Sequence, residues 1–430
     1  MTRMKDSGIK WIGEVPEDWG ITKIKFTTQL NGRIGWQGLT SAEYKEEGPY
    51  LITGTDFLDG KINFETAVHI DEKRWFEAKQ IQVENGDLLI TKDGTVGKVA
   101  IIEGLMEKAS LNSGVLRIQT TEVISRRFLF YVLKSDVFWL WFNYTNSGAS
   151  TILHLYQNVF DEFSYAFPKS LFVQTQIADF LDKKVAQLDK VKSLLEEQIK
   201  TLEDYRQSLI YETVTKGLDK TVPLKDSGVD WIGQIPEGWT VDRLGFHIYE
   251  INEKNIPQKS DFILSLTNKD GVIPYEEKGN QGNNSKDNLL DYKLAYPDTI
   301  VANSMNILIG SVGYSNYFGC ISPVYYVFKE RKGTNLRFVN YIMATQLFQK
   351  ELRKYANGIL EIRLRVSSED ILKRFCAFPS LSDQDKIVSY LDKRTNQINQ
   401  MIAIKKEQIE NINKQRQTLI YDYVTGKRRL

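Results

Sequence analysis

Apolar residues return every seven positions along two stretches of the chain. In the first, Leu181, Leu188, Leu195, Leu202 and Leu209 keep one register, and Val185 and Ile199 occupy a companion position that elsewhere holds Lys192, Arg206 and Thr213. In the second, Leu391, Ile398, Ile412 and Leu419 keep the register, with Ile402 and Ile409 as companions and Lys405 interrupting it. Sustained apolar heptads flanked by charge predict a coiled coil. The 42 residues from Gln174 to Thr215 would make roughly 60 Å of helix at about 1.5 Å per residue. Neither helix can bury its stripe alone. The simplest partner for each is the other, antiparallel; the alternative is two separate helices that each pair with another protein.

Elsewhere the pattern shortens to β-rich runs set off by glycine turns. Asp87–Thr91, Val99–Ile102 and Val115–Ile118 read as strands, as do Thr299–Ala302 and Val324–Phe328, with Gly94, Gly97, Gly310 and Gly313 between them. Helical stretches follow near Arg126–Trp141 and Leu336–Tyr355. The expected fold is α+β: two domains with a mostly antiparallel, curled sheet and helices, separated by two long helices in an antiparallel coiled coil with pseudo-two-fold symmetry. The expected boundaries are 1–170, 171–222, 223–380 and 381–430, alternating domain and helix.

An internal repeat underlies this alternation. Lys5-Asp-Ser-Gly-Ile-Lys-Trp-Ile-Gly-Glu-Val-Pro-Glu-Asp-Trp19 returns as Lys225-Asp-Ser-Gly-Val-Asp-Trp-Ile-Gly-Gln-Ile-Pro-Glu-Gly-Trp239. Gln207-Ser-Leu-Ile-Tyr-Glu-Thr-Val-Thr215 returns as Gln417-Thr-Leu-Ile-Tyr-Asp-Tyr-Val-Thr425. Between these blocks the two domains match poorly, as expected of similar scaffolds that carry different loops.

Composition narrows the class. The net charge of +1 is low for a nucleic-acid binder, although acidic residues (Glu196, Glu197, Glu203, Asp204) and basic ones (Lys92, Lys98, Arg117) fall in different segments. Two cysteines, Cys320 and Cys376, are too few for a disulfide framework and fit a reducing cytoplasm. Charges throughout Met1–Trp19 argue against a signal peptide, and no apolar run reaches membrane-spanning length.

The doubled Ser-Gly-x-x-Trp-Ile-Gly-x-x-Pro-x-x-Trp opening, each followed by a domain and a heptad helix, resembles the specificity subunits of type I restriction–modification systems over nearly the whole chain. Gly86-Asp-Leu-Leu-Ile-Thr-Lys-Asp-Gly-Thr-Val-Gly97 is similar to that family's mid-domain strand and loop. So are the glycine turns Ser147-Gly-Ala-Ser-Thr-Ile-Leu-His-Leu155 and Asn357-Gly-Ile-Leu-Glu-Ile-Arg363, and the proline-anchored helix starts at Pro168–Gln174 and Pro379–Gln384. Val173 and Asp383 stand where the family often has Glu. The second domain lacks the Lys-Asp-Gly-Thr loop and has Asn303-Ser-Met-Asn-Ile-Leu-Ile-Gly310 instead.

The resemblance implies a cytoplasmic, prokaryotic subunit that reads a bipartite site in double-stranded DNA and does no chemistry itself. It implies two modification (methyltransferase) subunits carrying S-adenosylmethionine, docked on the helices, and restriction subunits that use ATP and magnesium. Base reading needs side chains at base edges on a phosphate-anchored scaffold. The candidates in the first domain are Lys92, Asp93, Thr95, Lys98, Asn112, Ser113, Asn146, Ser147, Ser150 and His154. In the second they are Asn268, Lys269, Asn303, Asn306, Tyr314, Asn316, Asn357, Arg363 and Arg365. Asn, Asp and Ser also favour turns for backbone reasons alone. The basic end Gly426-Lys-Arg-Arg429 reads most simply as a solvated tail.

Two other classes compete. A self-contained DNA-modifying enzyme should carry a Pro-Pro loop for a flipped base, and the chain has no Pro-Pro pair. Gly94-Thr-Val-Gly-Lys98 misses a phosphate loop, with Lys92 at the first glycine position and Val99 at the magnesium hydroxyl. His69, His154 and His247 are far apart and give no zinc spacing. Glu276-Glu-Lys278 and Glu330-Arg-Lys332 are half of a nuclease motif without a partner aspartate. A non-DNA coiled-coil scaffold explains the heptads but leaves two glycine-rich β domains without a purpose.

Overall fold

The computed structural model of the chain describes residues 3–33, 39–146, 153–267, 271–279, 288–358 and 364–430. Contacts divide it into two compact units, Met1–Leu195 with Glu407–Leu430, and Glu196–Lys406. The division differs from the expected alternation of domain and helix, because each unit takes one sheet-rich domain together with a segment of both long helices.

In the first unit, strands Val99–Ile101, Leu88–Thr91, Val115–Thr120 and Thr28–Gly32 pair in that order, all antiparallel. Leu88–Thr91 is wholly buried because both its faces are covered. Leu88 and Ile90 point into the aromatic core, and Leu89 into a second core beneath another sheet. That second sheet runs Val68–His69, Lys45–Ile52, Ala109–Leu111, Gln82–Val83 and contains a parallel pair, Ala109–Leu111 with Lys45–Ile52. In the second unit, Ile248–Ile251, Tyr325–Glu330, Thr299–Asn303 and Val312–Ser315 repeat the first sheet strand for strand. The second sheet is there reduced to short two-stranded pairs.

The helical stretch near Arg126–Trp141 is two helices, Arg126–Lys134 and Asp136–Thr145. Ser135 adopts extended backbone between them and its hydroxyl caps the second by accepting from the Val137 N–H. Thr345 does the same between Leu336–Met343 and Gln346–Arg353. Hydrophobic periodicity runs on across a break of one residue in the first case and two in the second, so it could not reveal these caps.

The long helices are Leu171–Lys216 and Leu381–Val424, about 69 and 66 Å at about 1.5 Å per residue. In the first unit Phe180 meets Tyr423, with ring centroids 4.6 Å apart, and Arg416 pairs with Asp189 at 3.3 Å. In the second, Lys405 donates to Gln198 at 2.6 Å and Arg206 to Asn399 at 2.5 Å. Numbers rise on one helix as they fall on the other, so the helices are antiparallel. Lys405, which breaks the heptad pattern, has a polar partner across the seam. Of the core positions, Leu181, Val185, Ile199, Leu391, Ile398 and Ile402 are buried, whereas Leu188, Leu195, Leu202, Leu209, Ile409, Ile412 and Leu419 are half-buried. Burial is deepest near the helix ends, where Ile177, Ile210, Val214, Ile387, Ile420 and Val424 meet the domains. No helix among the described residues is long and apolar enough to cross a membrane.

The repeat is visible in single bonds. Gln174 is buried; its carbonyl accepts from the Ser125 N–H at 2.6 Å and its amide donates to the Val123 and Pro168 carbonyls. Gln384 accepts from Asn335 at 2.8 Å and donates to Pro379. Tyr131 and Tyr341 donate to Asp182 and Asp392 at 2.5 and 2.7 Å. Tyr211 donates to the Trp231 and Ile232 carbonyls, and Tyr421 to those of Trp11 and Ile12. Gly217 and Gly426 end the helices at φ +68° and +72°; a Cβ on Gly217 would crowd Trp239, and one on Gly426 would crowd Pro16 and Trp19. The basic end is exposed, and its side chains also have partners within the chain: Arg429 pairs with Asp18 at 2.5 Å, Arg428 with Asp422, and Lys427 donates to the Tyr421 hydroxyl.

Replacing Gln174 by Leu strands one backbone donor and two acceptors in a buried setting. A loss of about 2–4 kcal/mol is expected from the usual cost of unsatisfied buried groups, read as a lower urea midpoint. Gln384→Leu is expected to fall in the same range, because it holds the corresponding joint.

Candidate nucleic-acid interface

In the first domain the chain turns back between the strands Leu88–Thr91 and Val99–Ile101, and the turn carries four of the candidates, Lys92, Asp93, Thr95 and Lys98. Thr91 fixes it: its buried hydroxyl donates to the Thr95 carbonyl and accepts from the Lys98 N–H at 3.0 Å. The Lys92 N–H donates to Gly114 O at 2.8 Å, and the Leu155 N–H to Lys92 O at 2.9 Å. These bonds bring three segments together. One is the turn 92–98. The second is Asn112–Gly114, where the Asn112 side chain accepts from Ser113 and Gly114. The third holds His154, whose Nδ1 contacts the Asp93 carboxylate and whose ring lies 4.2 Å from that of Tyr156, centroid to centroid.

A fourth segment, Thr53–Asp56, completes the cluster. The Thr95 hydroxyl and the Lys98 ammonium both donate to Gly54 O at 3.4 Å. The Thr53 and Asp56 side chains form a capping box, so Thr-Gly-Thr-Asp is the sequence signal that could have located it. Arg33 supports the cluster from beneath. Its buried guanidinium donates to Leu111 O at 2.9 Å and Ser110 Oγ at 2.8 Å, and burial, with Arg74 nearby, lowers its pKa to about 10. Asn146 ends the helix Asp136–Thr145, its amide donating to Phe142 O at 2.8 Å. Lys98, Thr95 and Ser113 are exposed and Lys92, Asp93 and Asn112 half-buried. Arg117 is no part of a basic face, because it pairs with buried Asp87 at 2.8 Å.

The second domain builds a corresponding place from different residues. Asn303 stands where Thr91 does: its N–H donates to Ser311 O, and its buried side chain accepts from the Met305 N–H at 3.0 Å. The Ser304 N–H donates to Val324 O, and the Val366 N–H to Ser304 O, matching the two bonds at Lys92. This brings Asn303 and Asn306 beside Asn357 and Arg365, which exchange two backbone bonds of 2.8 and 2.9 Å. Asn306, Asn357 and Arg365 are exposed. Asn303 is buried and serves the turn.

Tyr314 and Asn316 are not brought to this cluster. They lie toward the other end of the strand pair Thr299–Asn303 and Val312–Ser315. Tyr314 donates to Asp298 at 2.5 Å, and burial together with that carboxylate pushes its hydroxyl up to about 12. Ser147, Ser150, Asn268, Lys269 and Arg363 lie outside the described residues. Among the described residues no group of three metal-ligating side chains occurs.

Three comparisons bear on these geometries. The family of the type I restriction modification DNA specificity domain matches residues 37–203. A putative type I restriction enzyme MjaX specificity subunit of Methanocaldococcus jannaschii is 25% identical, over 97% of this chain and 96% of its own. The type I restriction enzyme MjaVIII specificity subunit of the same organism is 24% identical, over 97% and 94%. A solved chain, described under the structural basis of complex assembly and conformational transition of the type I R-M system, superposes with a TM-score of 0.69. It is 15% identical and covers 96% of this chain and 99% of its own, which shows the fold.

Thr91→Val removes both bonds of the hydroxyl that ties the 92–98 turn. The Lys98 amide is expected to exchange with deuterium about tenfold faster, in line with a net loss of about 1 kcal/mol per hydrogen bond, while amides of the second domain keep their rates.

Proposed function

Because the chain belongs to the type I restriction–modification specificity subunits, we propose that it reads a bipartite site in double-stranded DNA, one half with each domain. The observation that carries this reading is the pair of clusters just described: corresponding backbone positions on like scaffolds, furnished with different polar and basic side chains. Two readers of different sequences need that combination. In the first domain Lys92 and Lys98 supply phosphate contacts, and Thr95, Ser113 and Asn112 offer donors and acceptors at base edges. Asp93 is held by His154 and shapes the turn. In the second domain Arg365 takes the basic role, with Asn306 and Asn357 as readers. The tight backbone bonding of both clusters supports this assignment, since precise readout needs pre-placed groups.

The helix pair sets the distance between the half-sites and docks two modification subunits. Those subunits carry S-adenosylmethionine and do the methyl transfer, and restriction subunits supply ATP- and magnesium-dependent work, all in a prokaryotic cytoplasm. The chain itself positions and does no chemistry. A repeated scaffold with two like surfaces suits two copies of one partner.

Binding to duplex DNA, measured across salt with the modification subunit present and absent, tests the reading. Affinity is expected to fall steeply with salt, and sequence preference to emerge in the complex. Lys92→Ala and Lys98→Ala are each expected to flatten the log–log salt slope by about 1. Slopes equal to wild type would remove both lysines from the interface.

The ruler is tested separately. Four residues inserted into each long helix add about 6 Å, nearly two base pairs at about 3.4 Å each. The preferred gap is expected to widen while both half-site sequences stay the same, and an unchanged gap contradicts the assignment.

A further inference from the structure

After the first opening block ends at Trp19, the two repeats diverge at once. From Gly20 to Asn31, against Thr240 to Ile251, a single identity survives: Phe26 and Phe246. Packing does not account for it. Each ring is 68% exposed, so the retained side chain faces water in both units. The turns that carry the rings are built alike. Ile24 and Leu244 are fully buried and anchor one-turn helices, Ile24–Phe26 and Leu244–Phe246. The Ile24 and Leu244 N–H groups each donate to the domain's last strand region, at Phe163 O and Arg374 O, both at 2.8 Å. A buried anchor thus holds an aromatic ring outward in each unit.

The surroundings share a charge sign. Lys23 and Lys25 flank the first ring, both paired with Glu162, and the Lys25 ammonium lies 5.3 Å from the Phe26 centroid. Around the second, Arg331 donates to Gly245 O at 3.1 Å and lies over Tyr249, and Arg243 lies over Phe375, with Asp242 beside His247. The turns also lie away from the reading loops. Phe26 precedes the strand Thr28–Gly32, whose far end leads to Arg33 under the first cluster. Phe246 precedes Ile248–Ile251, whose start pairs with Glu330, whereas the cluster lies at the Tyr325 end of that partner strand.

An aromatic that is exposed, repeated and remote from the variable loops serves something both halves meet in the same form. We propose that Phe26 and Phe246 are the equivalent anchors of two identical protein contacts, each inserting into an apolar pocket on one copy of the modification subunit. This rests on the reading of the chain as a specificity subunit and adds to it the residues that fix the stoichiometry. Exposed aromatics that become buried dominate such contacts.

The test is native mass spectrometry and titration of the full chain with the modification subunit of its own system. Wild type is expected to hold two copies. Phe26→Ala and Phe246→Ala are each expected to weaken one of the two binding steps at least about tenfold, the double variant to weaken both, and Phe26→Tyr to restore the first. Thermal unfolding of the variants is expected to match wild type, since neither ring is packed. Two copies held with wild-type affinities by the double variant would overturn the proposal. So would intact stoichiometry with weakened binding to random duplex DNA, which would give the rings to the nucleic acid. A wild-type chain that binds no modification subunit would overturn the underlying reading, and the proposal with it.

Discussion

The structure depends on how each helix end is gripped. At the close of a long helix, a left-handed glycine turns the chain and leaves room for the tryptophan that ends an opening block, while a tyrosine five or six residues earlier holds that block's backbone. Gly217 and Tyr211 do this for Trp239 and Trp231; Gly426 and Tyr421 do it for Trp19 and Trp11. The first case joins neighbours in sequence. The second joins the two ends of the chain, so the first unit is complete only once residues 407–430 have been added to it. With both helices tied in this way, a strict heptad core is less necessary. That is why a seam with Lys405, Arg206 and Arg416 in core or companion positions persists on polar cross-contacts.

Scaffold and reading surface are thereby separated. The buried glutamines, the tyrosine–aspartate pairs and the four-stranded sheets recur almost bond for bond. The second sheet and the loops with their candidate side chains do not. The proposed reading of two different sequences with one geometry needs that division: constancy where the helices join the domains, variation at the far ends of the strands. The near-zero net charge goes with cations that are engaged within the chain, such as Arg117, Arg127 and Arg337 in ion pairs.

Much of this was legible in the sequence, for physical reasons that differ by element. The heptads and the doubled Trp–Pro–Trp block show directly, because helical periodicity and a fixed packing partner both leave long-range marks. The strands Leu88–Thr91 and Val115–Thr120 show as apolar runs. The breaks at Ser135 and Thr345 do not, because a single capping hydroxyl interrupts a helix without disturbing its apolar stripe. The second sheet does not either, since its strands other than Lys45–Ile52 are of two or three residues and carry too little alternation. At the candidate site, the 92–98 turn was found from its glycines. Thr53–Asp56 was missed because it lies some 40 residues away in sequence and is joined only through Gly54. Tyr314 was grouped with its neighbours in sequence although its hydroxyl is committed to Asp298 at the other end of the strand.

Methylation mapping of the genome in a host that carries the complete system addresses the central claim most directly. If two differently furnished domains read one duplex at a set separation, modified bases will fall in a single motif of two short specified segments around an unspecified gap of constant length. A continuous motif, or specified segments whose separation varies from site to site, would contradict the account.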